Sequence, residues 1–334
     1  MWEDVDYLFV DEISMIGCAL LYNISEALVE AKGNSSPFGG INVIFAGDFA
    51  QLPPVGETRL SAMVDTSQTK SSSKRGQENA YGKLLWLSIN KAVILSENMR
   101  QSGPENVKLI DLLSRLWEGR CNHNDYHLLS NCILEKVNVP WKEWHNVPII
   151  VTENAQKDAL NECGAEAFAK HTNQELHWYY AIDTHRGKNV SKDIQSQLLT
   201  LNSGATNQHL GKIPLVIGMP VMITQNYDVE GGIVNGCMGI LKKIRYTTDL
   251  NGNHYALSCV IESTTISADP LSTLPKNHAV VLQETINLRF RHPHSGKNCQ
   301  IKRTQLPITP AFAMTAHKSQ GQTMKKVIVD LEGC

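Results

Sequence analysis

Long apolar runs, paired cysteines and a strong net charge are all missing from this 334-residue sequence. The longest apolar runs, such as residues 43–46, have the length of a strand, whereas a membrane-spanning helix needs about 20 apolar residues. We therefore expect no membrane span, and the acidic residues 1–4 do not resemble a secretory signal. None of the eight cysteines forms a Cys-x-x-Cys pair, which indicates free thiols in a reducing compartment.

The net charge of -2 gives no general argument for a polyanionic partner. One region differs, because residues 285–329 contain no Asp or Glu. Eight cations fall in that region: Arg289, Arg291, Lys297, Lys302, Arg303, Lys318, Lys325 and Lys326. A stretch of one sign in a nearly neutral chain indicates a local anionic partner. The alternative is a basic surface paired with acids elsewhere in the fold, and charge alone does not decide between the two.

A loose cluster of metal-ligand residue types also occurs, at Cys121, His123, His127 and Cys132. The two histidines have helical i, i+4 spacing, so a zinc site is conceivable. The spacing matches no standard zinc finger, however, and this disfavours zinc.

The first 95 residues have the pattern of an α/β unit. Residues 7–10, 42–46 and 92–95 are predicted to be buried strands, and residues 13–32 a helix that ends at Gly33. Alternating strands and helices predict a parallel sheet covered on both faces. Residues 61–82 are rich in Ser, Thr, Lys and Gln, and we predict a mobile surface loop there.

A second α/β unit is predicted after residue 100. Its first elements are a helix over residues 107–117, a strand over 148–152 and a helix over 155–170. From about residue 218 the pattern changes to strands separated by Gly-rich or Asn-Gly turns, which predicts a small antiparallel barrel inserted in the second unit. Residues 308 onward return to α/β character.

Two segments that follow predicted strands carry candidate chemistry. Asp11 and Glu12 lie at the carboxyl end of the first strand, where open α/β sheets bind ligands. An aspartate there can hold nucleotide-bound magnesium, and a neighbouring glutamate can act as general base. Alone, this acidic pair is weak evidence, since such pairs are common at strand ends. The second segment, residues 47–55, joins a glycine turn to two prolines and holds Gln51 where it could reach a γ-phosphate.

Four ordered segments together carry a family resemblance. Residues 11–15 (Asp-Glu-Ile-Ser-Met), 47–55, 95–101 (Leu-Ser-Glu-Asn-Met-Arg-Gln) and 316–323 (Ala-His-Lys-Ser-Gln-Gly-Gln-Thr) closely resemble motifs of the petite-integration-frequency, or Pif-type, helicases. That family includes helicases carried by Helitron transposons. Residues 217–236 resemble the same family, and residues 154–161 do so less specifically.

The resemblance implies two RecA-like P-loop NTPase domains with parallel sheets, over residues 1–100 and 101–334, and an SH3-like barrel at about 218–303. It implies that Asp11 coordinates Mg²⁺ through water, Glu12 is the catalytic base of ATP hydrolysis, and Gln51 couples the γ-phosphate to the DNA site. Arg100 would be an arginine finger on the second domain. The alternative for Arg100 is a salt bridge to Glu97 or Asp111.

The resemblance also implies DNA as the partner, both single strands and duplex junctions. The residues that would contact the single strand are His317, Lys318, Ser319, Gln320 and Gly321. The basic stretch before them fits the same groove, and Phe290 or Tyr227 could stack on bases, although core packing is the simpler interpretation of each ring. The implied activity is 5′-to-3′ unwinding driven by ATP, in genome maintenance or transposon replication, in the nucleus or mitochondrion.

No Gly-x-x-x-x-Gly-Lys-Ser/Thr phosphate loop occurs in the sequence. In the family that loop precedes the Asp-Glu motif, so we expect the first RecA-like domain to be truncated and ATP hydrolysis by these 334 residues to be negligible. The last arginine motif of the family is also not found. Two interpretations stay open: an ATP-dependent DNA helicase, or a non-catalytic DNA-binding remnant of a transposon helicase.

Overall fold

The computed structural model describes residues 2–62, 73–97, 99, 103–144, 147–266, 274–291, 296 and 298–332. It divides into two compact units, Met1–Asn138 and Val139–Cys334. The predicted boundary after residue 100 lies inside the first unit, and the predicted domain limits stay predictions. Among the described residues, no helix has the length and apolar character that a membrane crossing requires.

The first unit is built on two parallel strands, as predicted. Strand β1, Tyr7–Val10, pairs with β2, Asn42–Phe45, and Tyr7 lies opposite Asn42. A short 3-10 turn, Ile13–Met15, and helix α1, Cys18–Lys32, connect the two strands. Helix α1 ends at Gly33, whose φ of 63° is a left-handed conformation that glycine adopts without strain.

The predicted loop over residues 61–82 is wrong for its second half. Helix α2, Lys74–Leu87, begins after Ser73, whose hydroxyl accepts a hydrogen bond from the Gly76 amide at 3.0 Å. The helix packs on α1 so closely that a Cβ on Gly82 would lie 1.8 Å from the Cys18 carbonyl oxygen. The polar composition concealed a helix that a serine cap and a glycine contact stabilise. Residues 63–72 of the predicted loop lie outside the described residues.

The predicted strand over residues 92–95 is also wrong. These residues have no regular secondary structure, and Val93, Ile94 and Leu95 are 86–91% exposed. Apolar β-branched residues form a strand only where a neighbouring strand pairs with them. Within the described residues, the sheet of this unit has only β1 and β2.

Two more helices complete the described part of the first unit. Helix α3, Val107–Trp117, confirms the predicted helix, and α4, His123–Ser130, follows it. Arg115 on α3 donates from Nε and Nη2 to the carboxylate of Asp125 on α4, at 2.9 and 2.6 Å. Asp125 also closes a capping box with Asn122 at the start of α4. One carboxylate therefore holds both helices.

The second unit contains a parallel sheet and two mainly antiparallel sheets. Its strands are β3 Ile149–Val151, β4 His177–Tyr180, β5 Ile182–His185, β6 Lys188–Asn189, β7 Lys212–Leu215, β8 Pro220–Ile223, β9 Met238–Thr248, β10 His254–Glu262, β11 His278–Leu282, β12 Glu284–Arg291, β13 Asn298–Gln305, β14 Ile308–Pro310, β15 Ala313–Thr315 and β16 Ile328–Val329. Its helices are α5 Asn154–Thr172, α6 Lys192–Leu199 and α7 Ala316–Ser319.

The parallel sheet has the order β15-β3-β16, with helix α5 packed on it. The large sheet has the order β14-β8-β9-β10-β4-β7, and β11 also pairs with β10. This sheet is barrel-like, and its strands β8, β9 and β10 confirm the predicted hairpins. Its strands begin at His177 rather than near the predicted residue 218. The prediction of the barrel used only the local turn signals after residue 218. Strands β4 and β7 belong to the same sheet through the pairing of β4 with the distant strand β10.

The third sheet of the second unit has the order β12-β13-β5-β6. One of its faces packs on α6 and buries Leu198, Leu288, Phe290 and Ile301. On the same face, Arg303 donates from Nε and Nη2 to Asp183 at 2.8 and 2.7 Å, and the Arg303 side chain is fully buried. A buried arginine therefore lies in this small core, and two hydrogen bonds join it to one carboxylate.

Candidate functional site

The loops that follow β1 and β2 are joined by backbone hydrogen bonds. The Ala46 amide donates to the Val10 carbonyl at 2.8 Å, and the Ile13 amide donates to the Ala46 carbonyl at 3.0 Å. Gly47 then passes so close that a Cβ there would lie 2.8 Å from the Ile13 nitrogen. Its φ of 146° also favours glycine. The two predicted motifs therefore meet at one edge of the sheet.

The acidic motif has an unusual backbone conformation. Glu12 has φ 53° and ψ 44°, the left-handed region that non-glycine residues seldom occupy. The Glu12 amide donates to Oδ1 of Asp11 at 2.8 Å. Such conformations cost about 1–3 kcal/mol and are concentrated at functional sites. The strain at Glu12 is an independent indication that this turn has a role besides connecting β1 to α1.

Asp11 suits a magnesium ion by chemistry and position. Its side chain is exposed at the carboxyl end of β1, and only Oδ1 is used by a hydrogen bond within the described residues. A carboxylate oxygen open to solvent is the kind of ligand that Mg²⁺ takes beside a nucleotide. The other carboxylate of the pair, Glu12, is partly buried.

Gln51 is held by Asp48 of the same loop. Oδ1 of Asp48 accepts from the Ala50 amide at 2.9 Å, and Oδ2 accepts from Nε2 of Gln51 at 3.4 Å. Oδ1 also accepts from the indole nitrogen of Trp117, on helix α3, at 2.9 Å. Asp48 therefore fixes the Gln51 loop and links it to α3. The sequence interpretation considered Asp48 only as part of an Asp/Gln loop cap, the alternative to a functional role for this segment, and the Asx-type turn at Ala50 agrees with that capping.

Arg100, the predicted arginine finger, lies outside the described residues, so its role stays a prediction. The five residues of the predicted single-strand motif are all described. They follow β15 directly, in helix α7 and the turn after it. Asn161 of α5 fixes the start of β15: its Oδ1 accepts from the amides of Phe312 and Ala313 at 2.9 and 2.8 Å, and its Nδ2 donates to the Ala313 carbonyl at 3.1 Å.

Lys318 connects this motif to the barrel-like sheet. Its ammonium donates to Oδ1 of Asn235, in the turn before β9, so two of the segments that resemble the helicase family are in contact. The Lys318 carbonyl accepts from Nε2 of Gln322 at 2.8 Å, and the Ser319 hydroxyl donates to the Ala316 carbonyl at 2.8 Å. His317, Lys318, Ser319 and Gln320 are partly exposed, and Gly321 is exposed with φ 76°.

A second lysine, Lys157, was not predicted. It is 2% exposed, and its ammonium donates to Ser203 Oγ and Gln208 Oε1, both at 2.8 Å, and pairs with Asp158 at 3.3 Å. Burial lowers the pKa of Lys157, and the Asp158 carboxylate opposes that shift. Burial and the nearby Lys157 charge lower the pKa of Lys318. An anion beside Lys318 would therefore oppose the lowering of its pKa.

The basic stretch over residues 285–329 does not form one groove surface. Arg303 is buried against Asp183, and Lys326 pairs with Glu143 at 3.2 Å and lies 4.5 Å from the ring centroid of Trp144. For these two cations the alternative interpretation holds, since each is paired with an acid elsewhere in the fold. Phe290 is 8% exposed and packs in the small core, so core packing, the simpler interpretation of this ring, is confirmed. Tyr227 is 48% exposed, and stacking by that ring stays a prediction.

No zinc cluster is formed by the described residues. Among them, no group of three or more His, Cys, Asp or Glu side chains is arranged to hold a metal ion. The rings of His123 and His127 do lie 4.8 Å apart on α4. Cys121 and Cys132 are exposed free thiols.

A family model, several curated relatives and several solved structures relate this chain to Pif1 helicases. Residues 1–127 match the model of the PIF1-like helicase family. The chain is 27% identical over 330 residues to the ATP-dependent DNA helicase PIF1 of Xenopus laevis, covering 99% of this chain and 43% of that protein. It is 26% identical over 369 residues to the ATP-dependent DNA helicase Pif1 of Psychrobacter sp., covering 98% of this chain and 50% of that protein. The chain thus spans about half the length of these relatives.

Solved structures show the same fold. The Pif1 helicase of Candida albicans aligns with a TM-score of 0.65 at 23% identity, over 99% of this chain and 67% of that one. The Pif1 helicase of Bacteroides, in complex with ADP-AlF3 and single-stranded DNA, aligns with a TM-score of 0.65 at 21% identity, over 99% of this chain and 66% of that one.

Proposed function

We propose that this chain is a PIF1-like helicase and that it functions in ATP-dependent unwinding of DNA. The observation that carries the proposal is the junction of the Asp11-Glu12 turn with the Gly47–Gln51 loop at the carboxyl ends of β1 and β2. This is the edge of an α/β sheet where nucleotides bind. Its polar groups are two carboxylates and an amide, which are residue types that hold the metal ion and orient the attacking water in phosphoryl transfer.

Each group has one role in this proposal. Asp11 would hold Mg²⁺, and the ion would supply positive charge beside the phosphates. Glu12 takes a proton from the attacking water, and its strained backbone fixes the direction of the carboxylate. Gln51, held by Asp48, contacts the γ-phosphate side of the site. Arg100 is the arginine finger, because a guanidinium stays charged and can contact two phosphate oxygens at once.

The second unit supplies the contact to single-stranded DNA in this proposal. Lys318 neutralises a phosphate, while His317, Ser319, Gln320 and the Gly321 amide contact sugar and phosphate without reading sequence. Lys157 and Asn161 act behind them, as positioning residues. A phosphate beside Lys318 would supply the opposite charge that favours the protonated lysine. Duplex junctions are the proposed substrates.

The test is the DNA-stimulated ATPase and unwinding activity of the protein that contains these residues, on a forked duplex with a 5′ tail. The variant Glu12→Gln should lower kcat by about 10²–10⁴-fold, the usual contribution of a general base, with little change in nucleotide binding. The matched control is Glu30→Gln, an exposed glutamate on α1. Turnover unaffected by Glu12→Gln would reject the assignment. Binding of single strands without any turnover would instead support the non-catalytic remnant.

A further inference from the structure

In the part of the chain that the structure describes, one face of the third sheet of the second unit is exposed along β12 and β13. Along β12 the side chains alternate: Leu288 and Phe290 point into the core, whereas Asn287, Arg289 and Arg291 are exposed. The register places Asn298, Gln300 and Lys302 of β13 opposite those three exposed residues, and all three are exposed as well. We call the surface of these six residues the outer face.

The outer face carries three cations and no carboxylate. Glu284, the acid on β12, belongs to the alternate set of residues, and its Oε2 lies 3.7 Å from His209 Nε2. Within the described residues, neither Arg289 nor Lys302 has an ion-pair partner. Nε of Arg291 donates to the Gly296 carbonyl at 3.2 Å.

The arginines on the two faces of this sheet differ in burial and in pairing. On the inner face, Arg303 has its own carboxylate, Asp183, and both side chains are almost fully buried. On the outer face, Arg289 and Arg291 are two residues apart on one strand, about 6.6–6.8 Å by strand geometry, with Lys302 on the adjacent strand. Like charges at such spacing repel each other, and an anion with several charges at regular intervals would offset that repulsion.

The remaining outer-face residues indicate what kind of anion fits. Asn287, Asn298 and Gln300 are uncharged donors of the type that contact phosphate and sugar oxygens. Proteins that bind single strands combine cations with aromatic rings on which bases stack. The outer face has no aromatic residue, since Phe290 points into the core. A surface of cations and amides without rings suits the backbone of a duplex, whose bases are already stacked.

We propose that the outer face binds the sugar-phosphate backbone of duplex DNA, without reading its sequence. This site is separate from the predicted single-strand motif at residues 317–321 and from the ATP site. It depends on the geometry of β12 and β13 alone, and it extends the proposed function to a second DNA contact.

The experiment measures binding of the 334-residue chain to a labelled blunt duplex of about 21 base pairs, two helical turns, by fluorescence anisotropy over a range of salt concentrations. The triple variant Arg289→Gln/Arg291→Gln/Lys302→Gln is compared with the control Lys170→Gln/Lys243→Gln/Lys276→Gln. The control removes three exposed lysines elsewhere in the same unit, so both variants change the net charge equally. Circular dichroism checks that both fold.

We expect the outer-face variant to bind the duplex at least about 10-fold more weakly than the control at low salt. The slope of log affinity against log salt should fall by two to three, because each phosphate contact on B-DNA contributes roughly 0.9. Binding of oligo(dT) should change little in this variant and should weaken in Lys318→Ala. Equal duplex affinity and slope in the two triple variants would overturn the proposal. Absence of ATP turnover in the unwinding assay would reject the helicase activity and leave this duplex-binding result unchanged.

Discussion

The sheet of the first unit and the large sheet of the second unit bury their apolar side chains to very different degrees. In the first, Tyr7, Phe9 and Ile44 are 50–67% exposed. In the second, Val221 and Ile261 are fully buried, as are most apolar residues of their strands. The candidate ATP motifs are therefore held together by local backbone contacts, whereas the candidate DNA motif is held by buried side chains from distant segments.

The two units also hold their arginines differently. Each contains an Arg-Asp pair with two hydrogen bonds. Both side chains of Arg303 and Asp183 in the second unit are at most 2% exposed, but the Arg115 side chain of the first unit is 36% exposed. Water screens the Arg115–Asp125 pair of the first unit and can replace its hydrogen bonds. Removal of one partner should therefore affect the two units unequally.

The largest expected effect is in the second unit. Arg303→Ala should lower its free energy of unfolding by about 3–5 kcal/mol, because Asp183 would remain as a buried charge without a partner. Arg115→Ala should have a smaller effect in the first unit. The buried thiols of Cys259 and Cys18 report on the two units separately, since both are 1% exposed and burial raises the pKa of each. Urea-dependent labelling of these cysteines, read by mass spectrometry, measures both.

If Cys259 became labelled at the same urea concentration in Arg303→Ala as in the parent chain, the Arg303–Asp183 pair would not stabilise the second unit. The expected difference between the two units would then be wrong. A second check is Asp183→Asn, which leaves Arg303 buried and charged. It should destabilise the second unit by a similar amount and leave Cys18 labelling unchanged.

A moderate effect is expected at the junction of the two ATP motifs. Gly47→Ala places a Cβ 2.8 Å from the Ile13 nitrogen at a φ of 146°. A conformation open only to glycine costs another residue about 1–3 kcal/mol, and the contact would also force the two loops apart. Cys18 should therefore become labelled at lower urea.

Gly56→Ala is the matched control for that variant. Gly56 also has positive φ, 66°, but no atom lies within 4 Å of the position that an alanine Cβ would take. Gly56→Ala therefore tests the cost of an alanine at positive φ without a steric contact like that of Gly47 with Ile13. Equal effects of the two substitutions would mean that the close approach of Gly47 to the Glu12-Ile13 turn contributes nothing to the loop geometry.

Elements with local signals could be predicted from the sequence. Strands β1 and β2, helices α1, α3 and α5, and the hairpins after residue 218 follow from periodicity and turn residues over a few positions. The predicted single-strand motif follows strand β15 directly, and its role stays a prediction. The strand predicted over residues 92–95 is wrong because local propensity does not show whether a partner strand exists. In the described part of the chain, no strand pairs with these residues.

The missed parts of the candidate sites depend on contacts between distant segments. Lys157 meets Ser203 and Gln208, which are 46 and 51 residues away. A local signal did exist, since Asn154, Lys157 and Asn161 share one face of α5 with buried alanines. The basic stretch was treated as one surface, although its period-two alternation already separates the exposed Arg289 from the buried Phe290 and Ile301.

The smallest expected effect is confined to acid. The Arg115 guanidinium and the Asn122 amide lower the pKa of Asp125 from 3.8 to about 2. Side-chain and backbone hydrogen bonds from Asn253 lower that of Asp249, in the β9–β10 turn, to about 2. A lowered carboxyl pKa stabilises the folded state above the unfolded-state pKa, and that contribution is lost as the pH falls towards the folded-state pKa. Each aspartate should therefore lose its contribution as the pH falls from about 5 to about 2.

Asp125→Asn and Asp249→Asn test whether the two units lose stability together in acid. At neutral pH each variant should have a lower urea midpoint than the parent chain, measured by circular dichroism, and the difference should vanish as the pH approaches about 2. Asp4→Asn, at an exposed residue, is the control and should follow the parent chain at every pH. A difference that persists in acid would mean that the asparagines disturb packing rather than remove a charge. In that case the helix pair α3–α4 would depend on the shape of Asp125, and the contrast between a screened and a buried pair would have to rest on Arg303 alone.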